Sequence, residues 1–240
     1  MNENELKRYN RQMILEGWGA AGQKRLKQST VFVAGAGGLG SPVLTYLAVA
    51  GVGTLRLCDF DTVDYSNLNR QILHNPARVN VPKALSAKQS LEALNEDIVV
   101  TALEEKITAE NAEELVGGAD IIVDCMDNFP TRFALNRVSV KHSIPYVFGA
   151  VWGLEGRLSV FHPPLTPCLN CVFPEGPPPE VFPIVGATPG VIGSMQALET
   201  LKCLTGVGEP LKNELLVWDG NTVSFSRFKM RKNPKCPTCG

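Results

Sequence analysis

The chain has 240 residues, with 23 basic and 24 acidic side chains and a formal net charge of −1. That length suits one α/β domain with a substantial core and at most a small appended lobe, and the charge balance gives no bulk electrostatic case for nucleic acid. The N-terminus is polar and charged, and no apolar run reaches the roughly 18 to 20 residues that a bilayer span needs, so a soluble, cytoplasmic protein with no membrane partner is expected.

Glu5 to Leu15 reads as a short amphipathic helix, followed by a turn rich in glycine (Gly17, Gly19, Gly22) and a second helical stretch from Gln23 to Gln28. Thr30 to Ala34 is a continuous apolar, β-branched run of the kind found in buried parallel strands. Ser41 to Ala50 is an apolar helix that tolerates Pro42 in its first turn. Strands follow at Thr54 to Cys58, Ile98 to Leu103 and Ile121 to Cys125, alternating with helices at Lys83 to Leu94 and Ala109 to Val116. A helix at Thr131 to Lys141 and strands at Tyr146 to Ala150, Leu158 to Phe161 and Leu215 to Asp219 complete the pattern, with a helix at Gly190 to Leu204. The Pro-rich stretch Phe173 to Pro189 reads as a long exposed loop. Alternation of this kind predicts an α/β, Rossmann-like, doubly wound and mostly parallel sheet with helices on both faces. The expected layout is a helical extension over residues 1–29, a nucleotide-binding half over 30–150 and an antiparallel half over 151–240, the last of which the family resemblance given below assigns to partner binding and zinc.

Gly35, Gly37 and Gly40 fit the G-x-G-x-x-G pattern directly after a strand and before a helix. Without side chains, the backbone N–H groups approach phosphate oxygens at a helix N-terminus, where the dipole favours negative charge. Asp59 ends the second strand, about 20 residues beyond the turn, where an acid accepts hydrogen bonds from ribose hydroxyls. A dehydrogenase would use those features, but it has no use for Asn67 and Arg70 immediately afterwards. With Lys83, these two suit a triphosphate and a pyrophosphate leaving group, stabilised by charge rather than by covalent chemistry. Asp124 and Asp127 supply carboxylates at the carboxyl edge of the sheet, where one facing phosphates would hold Mg²⁺. Capping the helix at Thr131 is the competing role for Asp127 or Asn128.

Seven cysteines, an odd number in a chain with no export signal, argue against a disulfide framework. Cys168-Leu-Asn-Cys171 and Cys236-Pro-Thr-Cys239 are two C-x-x-C knuckles suited to a closed four-thiolate Zn²⁺ site that staples the C-terminal tail and does no catalysis. A redox role is the weaker alternative, since neither pair opens a thioredoxin-like βα unit. Cys58, Cys125 and Cys203 lie in apolar contexts and read as buried small hydrophobes. His74, His142 and His162 show no ligand spacing and read as surface or turn residues.

Taken in order, Arg8-Tyr-Asn-Arg-Gln12, Gly35-Ala-Gly-Gly-Leu-Gly-Ser41, Asp59-Phe-Asp61, Ser66-Asn-Leu-Asn-Arg-Gln71, Lys83, Asp124-Cys-Met-Asp-Asn128 and the paired knuckles resemble the ThiF/MoeB/HesA family, bacterial relatives of ubiquitin-activating enzymes. The resemblance covers nearly the whole chain. It implies ATP-dependent adenylation of the C-terminal Gly-Gly carboxylate of a small ubiquitin-like sulfur carrier, with release of pyrophosphate, in thiamine or molybdenum cofactor biosynthesis. It also implies a homodimer in which Arg11 reaches the partner subunit's ATP site. Carried over by position, it puts Gly35, Gly37, Gly38, Gly40, Asp61 and Asn128 around the nucleotide. Asp59 falls on the ribose, Asn67, Arg70 and Lys83 on the phosphates, and Asp127 on Mg²⁺. Arg11, Arg70, Lys83 and Asp127 are then the catalytic set.

One departure bears on mechanism. Where many relatives carry a cysteine before the helix at Gly190, residues Glu175 to Thr188 contain none. The expectation is an enzyme that stops at the acyl-adenylate and leaves sulfur to a separate persulfide donor. The chain ends at Gly240 without the fused rhodanese domain of some relatives, which points the same way. Two other readings are a relative that activates another carboxylate or a tRNA base, and a nicotinamide-dependent oxidoreductase.

Overall fold

The computed structural model describes residues 1–176 and 183–240. It opens with two helices outside the sheet, α1 (Glu3–Met13) and α2 (Gly19–Gln28). Helix α1 begins at a reciprocal cap. The Asn2 side chain accepts from the Glu5 N–H at 2.8 Å, and the Glu5 carboxylate accepts from the Asn2 N–H at 2.7 Å. The alternating core follows: β1 (Thr30–Ala34), α3 (Gly40–Ala50), β2 (Thr54–Cys58), α4 (Lys83–Leu94), β3 (Val99–Leu103), α5 (Ala112–Val116), β4 (Ile121–Asp124), α6 (Phe129–His142) and β5 (Tyr146–Trp152). The chain then runs through β6 (Glu155–Phe161), the single-turn α7 (Leu169–Val172), α8 (Ala187–Thr205), β7 (Glu214–Asp219) and β8 (Ser224–Lys229).

All eight strands form one sheet in the order β3-β2-β1-β4-β5-β6-β7-β8. The first five are parallel, with Val31 beside both Leu55 and Ile121, and β5 to β8 continue antiparallel. Because β1 lies between β2 and β4, the chain winds in opposite directions from it. That switch leaves a crevice beyond the carboxyl ends of β1 and β4. Alternate residues of each strand serve two cores. Val31 and Val33 pack with Leu44, Leu47, Leu91 and Ile192 on the face covered by α3, α4 and α8. Phe32 and Ala34 pack with Leu115, Leu135 and Leu169 on the face covered by α5, α6 and α7.

The expected strands and helices are present, with altered ends. Helix α5 starts three residues late because the Asn111 side chain accepts from the Thr108 N–H at 2.7 Å and closes a turn there. Strands β5 and β6 run further than expected and meet at Gly153, which takes φ +54°. Strand β8 and α7 were not anticipated. The lone-loop reading of Phe173 to Pro189 is corrected at its end, where α8 begins at Ala187; residues 177–182 of that stretch lie outside the described ones. Among the described residues, no helix is long and apolar enough to cross a membrane.

Helix α1 is tied down through Glu5, only 2 % exposed, which pairs with Lys27 of α2. The Lys27 ammonium, then the Asn2 N–H, hold the Glu5 carboxyl below its usual 4.5. A value lowered by folding stabilises the protein above the ordinary carboxyl pKa, and that contribution is lost as pH falls through the folded value. The urea midpoint of wild type should therefore exceed that of Glu5→Gln by more at pH 7 than at pH 3, and an equal gap at both would refute the assignment.

Candidate nucleotide site at the carboxyl edge

The turn between β1 and α3 is built for close approach. Gly35 takes φ +96°, and a Cβ there would lie 2.9 Å from the Cys125 carbonyl oxygen; one at Gly40 would lie 2.1 Å from the Gly35 oxygen. Neither position accepts a side chain without moving backbone. Gly37 and Gly38 sit half-buried on the open rim, Gly37 facing Gln71 and Gly38 facing Arg70 and Pro189. Their N–H groups find no acceptor among the described residues, as an anion cradle requires.

Asp59 anchors this turn. One carboxylate oxygen accepts from the Ala36 N–H at 2.8 Å and the other from the Asp61 N–H at 2.9 Å. Burial raises its pKa, while those two N–H groups and Lys83 pull it back. Lys83 opens α4, is 6 % exposed, and places its Nζ 3.0 Å from Asp61 Oδ2. Its backbone N–H donates to the Asp61 carbonyl at 2.8 Å, which fixes where α4 starts. His74, read from sequence as a surface or turn residue, is corrected by its place beneath the turn. It is buried, with Nε2 2.9 Å from the Ala36 carbonyl and Nδ1 2.8 Å from Ser86 Oγ. Burial lowers its pKa, and the ring links Ser86 of α4 to the Ala36 carbonyl of the turn.

Asn67 and Arg70 come from a short helical turn, Tyr65–Asn67, and the coil after it, capped by Asp64 on the Ser66 N–H. Both are half-buried, and Arg70 Nη1 is held by the Ser66 carbonyl at 2.8 Å and Asn69 Oδ1 at 2.9 Å. The start of α8 lies against this segment so tightly that a Cβ on Gly186 would come 2.2 Å from the Asn69 carbonyl oxygen. Gln71 is buried, and its Oε1 has no hydrogen-bond partner among the described residues.

The two aspartates after β4 separate. Asp124 is fully buried: it accepts from Tyr146 Oη at 2.7 Å and the Met126 N–H at 2.9 Å, and lies 3.2 Å from Arg132 Nε. It cannot face phosphates, which corrects that part of the sequence reading. Asp127 is exposed at the crevice mouth, and Asn128 takes the capping role by accepting from the Thr131 N–H at 3.0 Å. Arg132 carried no signal in the sequence. It is 4 % exposed, donates to the Met126 and Gly149 carbonyls, and lies between the rings of Phe129 and Phe148 at 5.2 and 5.0 Å. It thereby ties the Met126 to Asn128 loop to the sheet.

Beyond Asp59 opens a cavity of about 740 Å³ whose lining includes Phe60, Ile107, Met126, Asn128 and Phe133, with Lys106 and Arg137 also on its wall. An apolar slot with a few polar groups suits a flat heterocycle. Arg11 lies elsewhere. It is exposed on the last turn of α1, and its neighbours Tyr9 and Arg8 pack on Gly51 and Asn95 at the far ends of α3 and α4, the opposite edge of the sheet.

The four knuckle cysteines converge. Their sulfurs lie within 4.8 Å of one another, Cys168 3.6 Å from Cys236 and Cys171 3.4 Å from Cys239. A four-thiolate set this compact fits a tetrahedral Zn²⁺. Burial raises the thiol pKa of Cys58 to about 12 and that of Cys203 to about 11, and holds Cys125 up as well, so none of the three is an activated nucleophile.

A family model described as the ThiF family matches residues 9–238. The chain belongs to the ThiF family. This ThiF-family chain is 45 % identical to the sulfur carrier protein adenylyltransferase of Thermus thermophilus, over 99 % of the chain and 92 % of the relative. It is 42 % identical to the SAMP-activating enzyme E1 of Haloferax volcanii, over 100 % of the chain and 91 % of the relative. Among solved structures, E. coli MccB in complex with ATP superposes with a TM-score of 0.86 at 25 % identity, covering 100 % of this chain and 75 % of that one. The ThiF-family chain is an adenylyltransferase.

Breaking the Asp124 network tests its weight. Arg132→Met leaves a buried carboxylate uncompensated and should lower stability by about 3–5 kcal/mol, whereas Tyr146→Phe removes one hydrogen bond and should lower it by about 1.5–3 kcal/mol. Urea titration of the two variants measures the difference.

Proposed function

We propose that the protein uses ATP to adenylate the C-terminal Gly-Gly carboxylate of a small ubiquitin-like sulfur carrier protein, releasing pyrophosphate, in thiamine or molybdenum cofactor biosynthesis. The observation that carries this reading is the joining of the glycine turn, Asp59, Arg70 and Lys83 around one crevice with the apolar cavity beside it. Similarity to sulfur carrier and ubiquitin-like activating enzymes over nearly the whole chain supports it. Adenine occupies the cavity beyond Phe60, the ribose hydroxyls meet Asp59, and the phosphates lie over Gly37 and Gly38 with Asn67, Arg70 and Lys83 around them.

In the reaction a carrier carboxylate oxygen bonds to the α-phosphorus, and the bond from that phosphorus to the oxygen bridging to the β-phosphate breaks. The electron pair leaves with pyrophosphate. No general base is needed, because a C-terminal carboxyl is ionised at neutral pH. The protein keeps two anions from repelling one another and spreads the charge that develops on the leaving group. Asp127, an exposed carboxylate at the crevice mouth, is fitted to hold Mg²⁺, which supplies further positive charge on the phosphates. Asn128 fixes that loop by capping α6.

Arg11 cannot serve the crevice of its own chain from the opposite sheet edge, so its catalytic role belongs to a homodimer in which it completes the partner subunit's site. The knuckle cysteines Cys168, Cys171, Cys236 and Cys239 hold Zn²⁺ as a staple, with Phe173, two residues beyond the first knuckle, packed on Phe129 and Phe148. With no cysteine between Glu175 and Thr188, the enzyme stops at the acyl-adenylate, and a separate persulfide donor supplies sulfur.

Exchange of labelled pyrophosphate into ATP should require a carrier that ends in Gly-Gly and vanish when its last glycine is removed. Exchange without any carrier, or NAD bound more tightly than ATP, would end this reading. Asp127→Asn should raise the Mg²⁺ concentration for half-maximal exchange about tenfold. Cys168→Ser should cost the protein its zinc equivalent by elemental analysis and make the C-terminal tail protease-sensitive. Retention of full zinc would remove the staple.

A further inference from the structure

Lys83 and Asp61 form a pair whose two members differ in surroundings. The Lys83 side chain is 7 % exposed and the Asp61 side chain 51 %, yet their charged ends lie 3.0 Å apart. The backbone of Asp61 is fixed on both sides, its N–H donating to Asp59 and its carbonyl accepting from the Lys83 N–H. Its carboxylate has Lys83 as its one polar partner among the described residues. Asp59, by contrast, has both oxygens engaged by backbone N–H groups of the turn and the β2 exit.

An ammonium shut away from water needs a counter-ion. In the free enzyme Asp61 is that counter-ion. A triphosphate arriving over Gly37 and Gly38 offers a denser negative charge, and the long lysine side chain reorients readily between anions. The half-exposed carboxylate can turn to solvent without moving the backbone that positions α4. We propose that Asp61 is a resident counter-ion which Lys83 exchanges for phosphate, and that its competition for Lys83 weakens the hold on pyrophosphate and speeds its departure. Asp61 is thus a positioning residue acting through Lys83 and not a nucleotide ligand. The proposal rests on the ATP reading of the crevice.

Its signature is a pair of opposite signs. Asp61→Asn takes away the carboxylate at ion-pair distance from Lys83, leaving it only the more distant charge of Asp59, and should lower the melting temperature of the ligand-free protein. The same change should tighten pyrophosphate and ATP binding by roughly three- to thirtyfold, as removal of one nearby competing charge predicts, with stronger product inhibition in the exchange assay. A merely structural role would lower stability and affinity together. Calorimetric titration of wild type and Asp61→Asn with pyrophosphate and with Mg-ATP reads the affinities, and Asp61→Ser provides the same reading on a shorter side chain. In a Lys83→Gln background the gain from Asp61→Asn should be largely lost. Unchanged or weakened pyrophosphate affinity in both Asp61 variants, or an equal gain without Lys83, overturns the exchange while leaving the nucleotide site in place. Wild-type protein that binds neither ligand would overturn the ATP reading together with the exchange.

Discussion

A buried carboxylate at the end of β4 ties the inner parallel strands to the helices packed on both faces of the sheet. Asp124 is sealed from solvent and held by Tyr146 from β5, by Arg132 from α6 and by the backbone of its own loop, while its carbonyl accepts from Gln196 of α8 at 2.7 Å. An ionised group there has little stability to offer unless every lone pair is used. Satisfying it fixes in one place the last two parallel strands, the loop with Asp127 and the helix that roofs the crevice. Arg132 adds reach, for its guanidinium also clamps two carbonyls and fills the gap between two aromatic rings.

Around that fixed point, the crevice sorts its charges by mobility. Asp59 is fixed by two backbone N–H groups and holds the glycine turn. Arg70 is guided by the Ser66 carbonyl and Asn69 and lies open on one side. Lys83 is buried but paired with a carboxylate free to turn away. A site assembled this way is charged enough to gather phosphates, and on the exchange proposed above it does so without making Lys83 a permanent trap.

Much of this was legible in the sequence where a single element carries the signal. Thr30 to Ala34 announces itself as a β-branched apolar run, Thr54 to Cys58 as a short strand after it, and the glycine spacing between them has one conformation it can serve. The C-x-x-C pairs are visible by spacing alone, although only the fold shows all four sulfurs at one point. What escaped depends on neighbours from elsewhere in the chain. His74 looks like any loop histidine until Ala36 and Ser86 are folded against it. Arg132 reads as one more helix cation, since neither its burial nor its bond to Asp124 leaves a local trace. Asp124 and Asp127 are the same residue type three positions apart, yet one ends β4 in the core and the other lies in the loop beyond it.

Strand β8 escaped for a different reason, and its character matters to the molecule in solution. Ser224 to Lys229 is exposed throughout and mixes Phe225 and Phe228 with Arg227 and Lys229, so it lacks the apolar alternation of a half-buried strand. It nevertheless closes one margin of an eight-stranded sheet, the place where unpaired backbone groups invite a neighbouring molecule to add on. Two cationic side chains on that margin make head-on stacking of copies electrostatically costly. The polarity that hid the strand from pattern reading also makes this margin a poorer template for edge-to-edge pairing than an apolar strand would be.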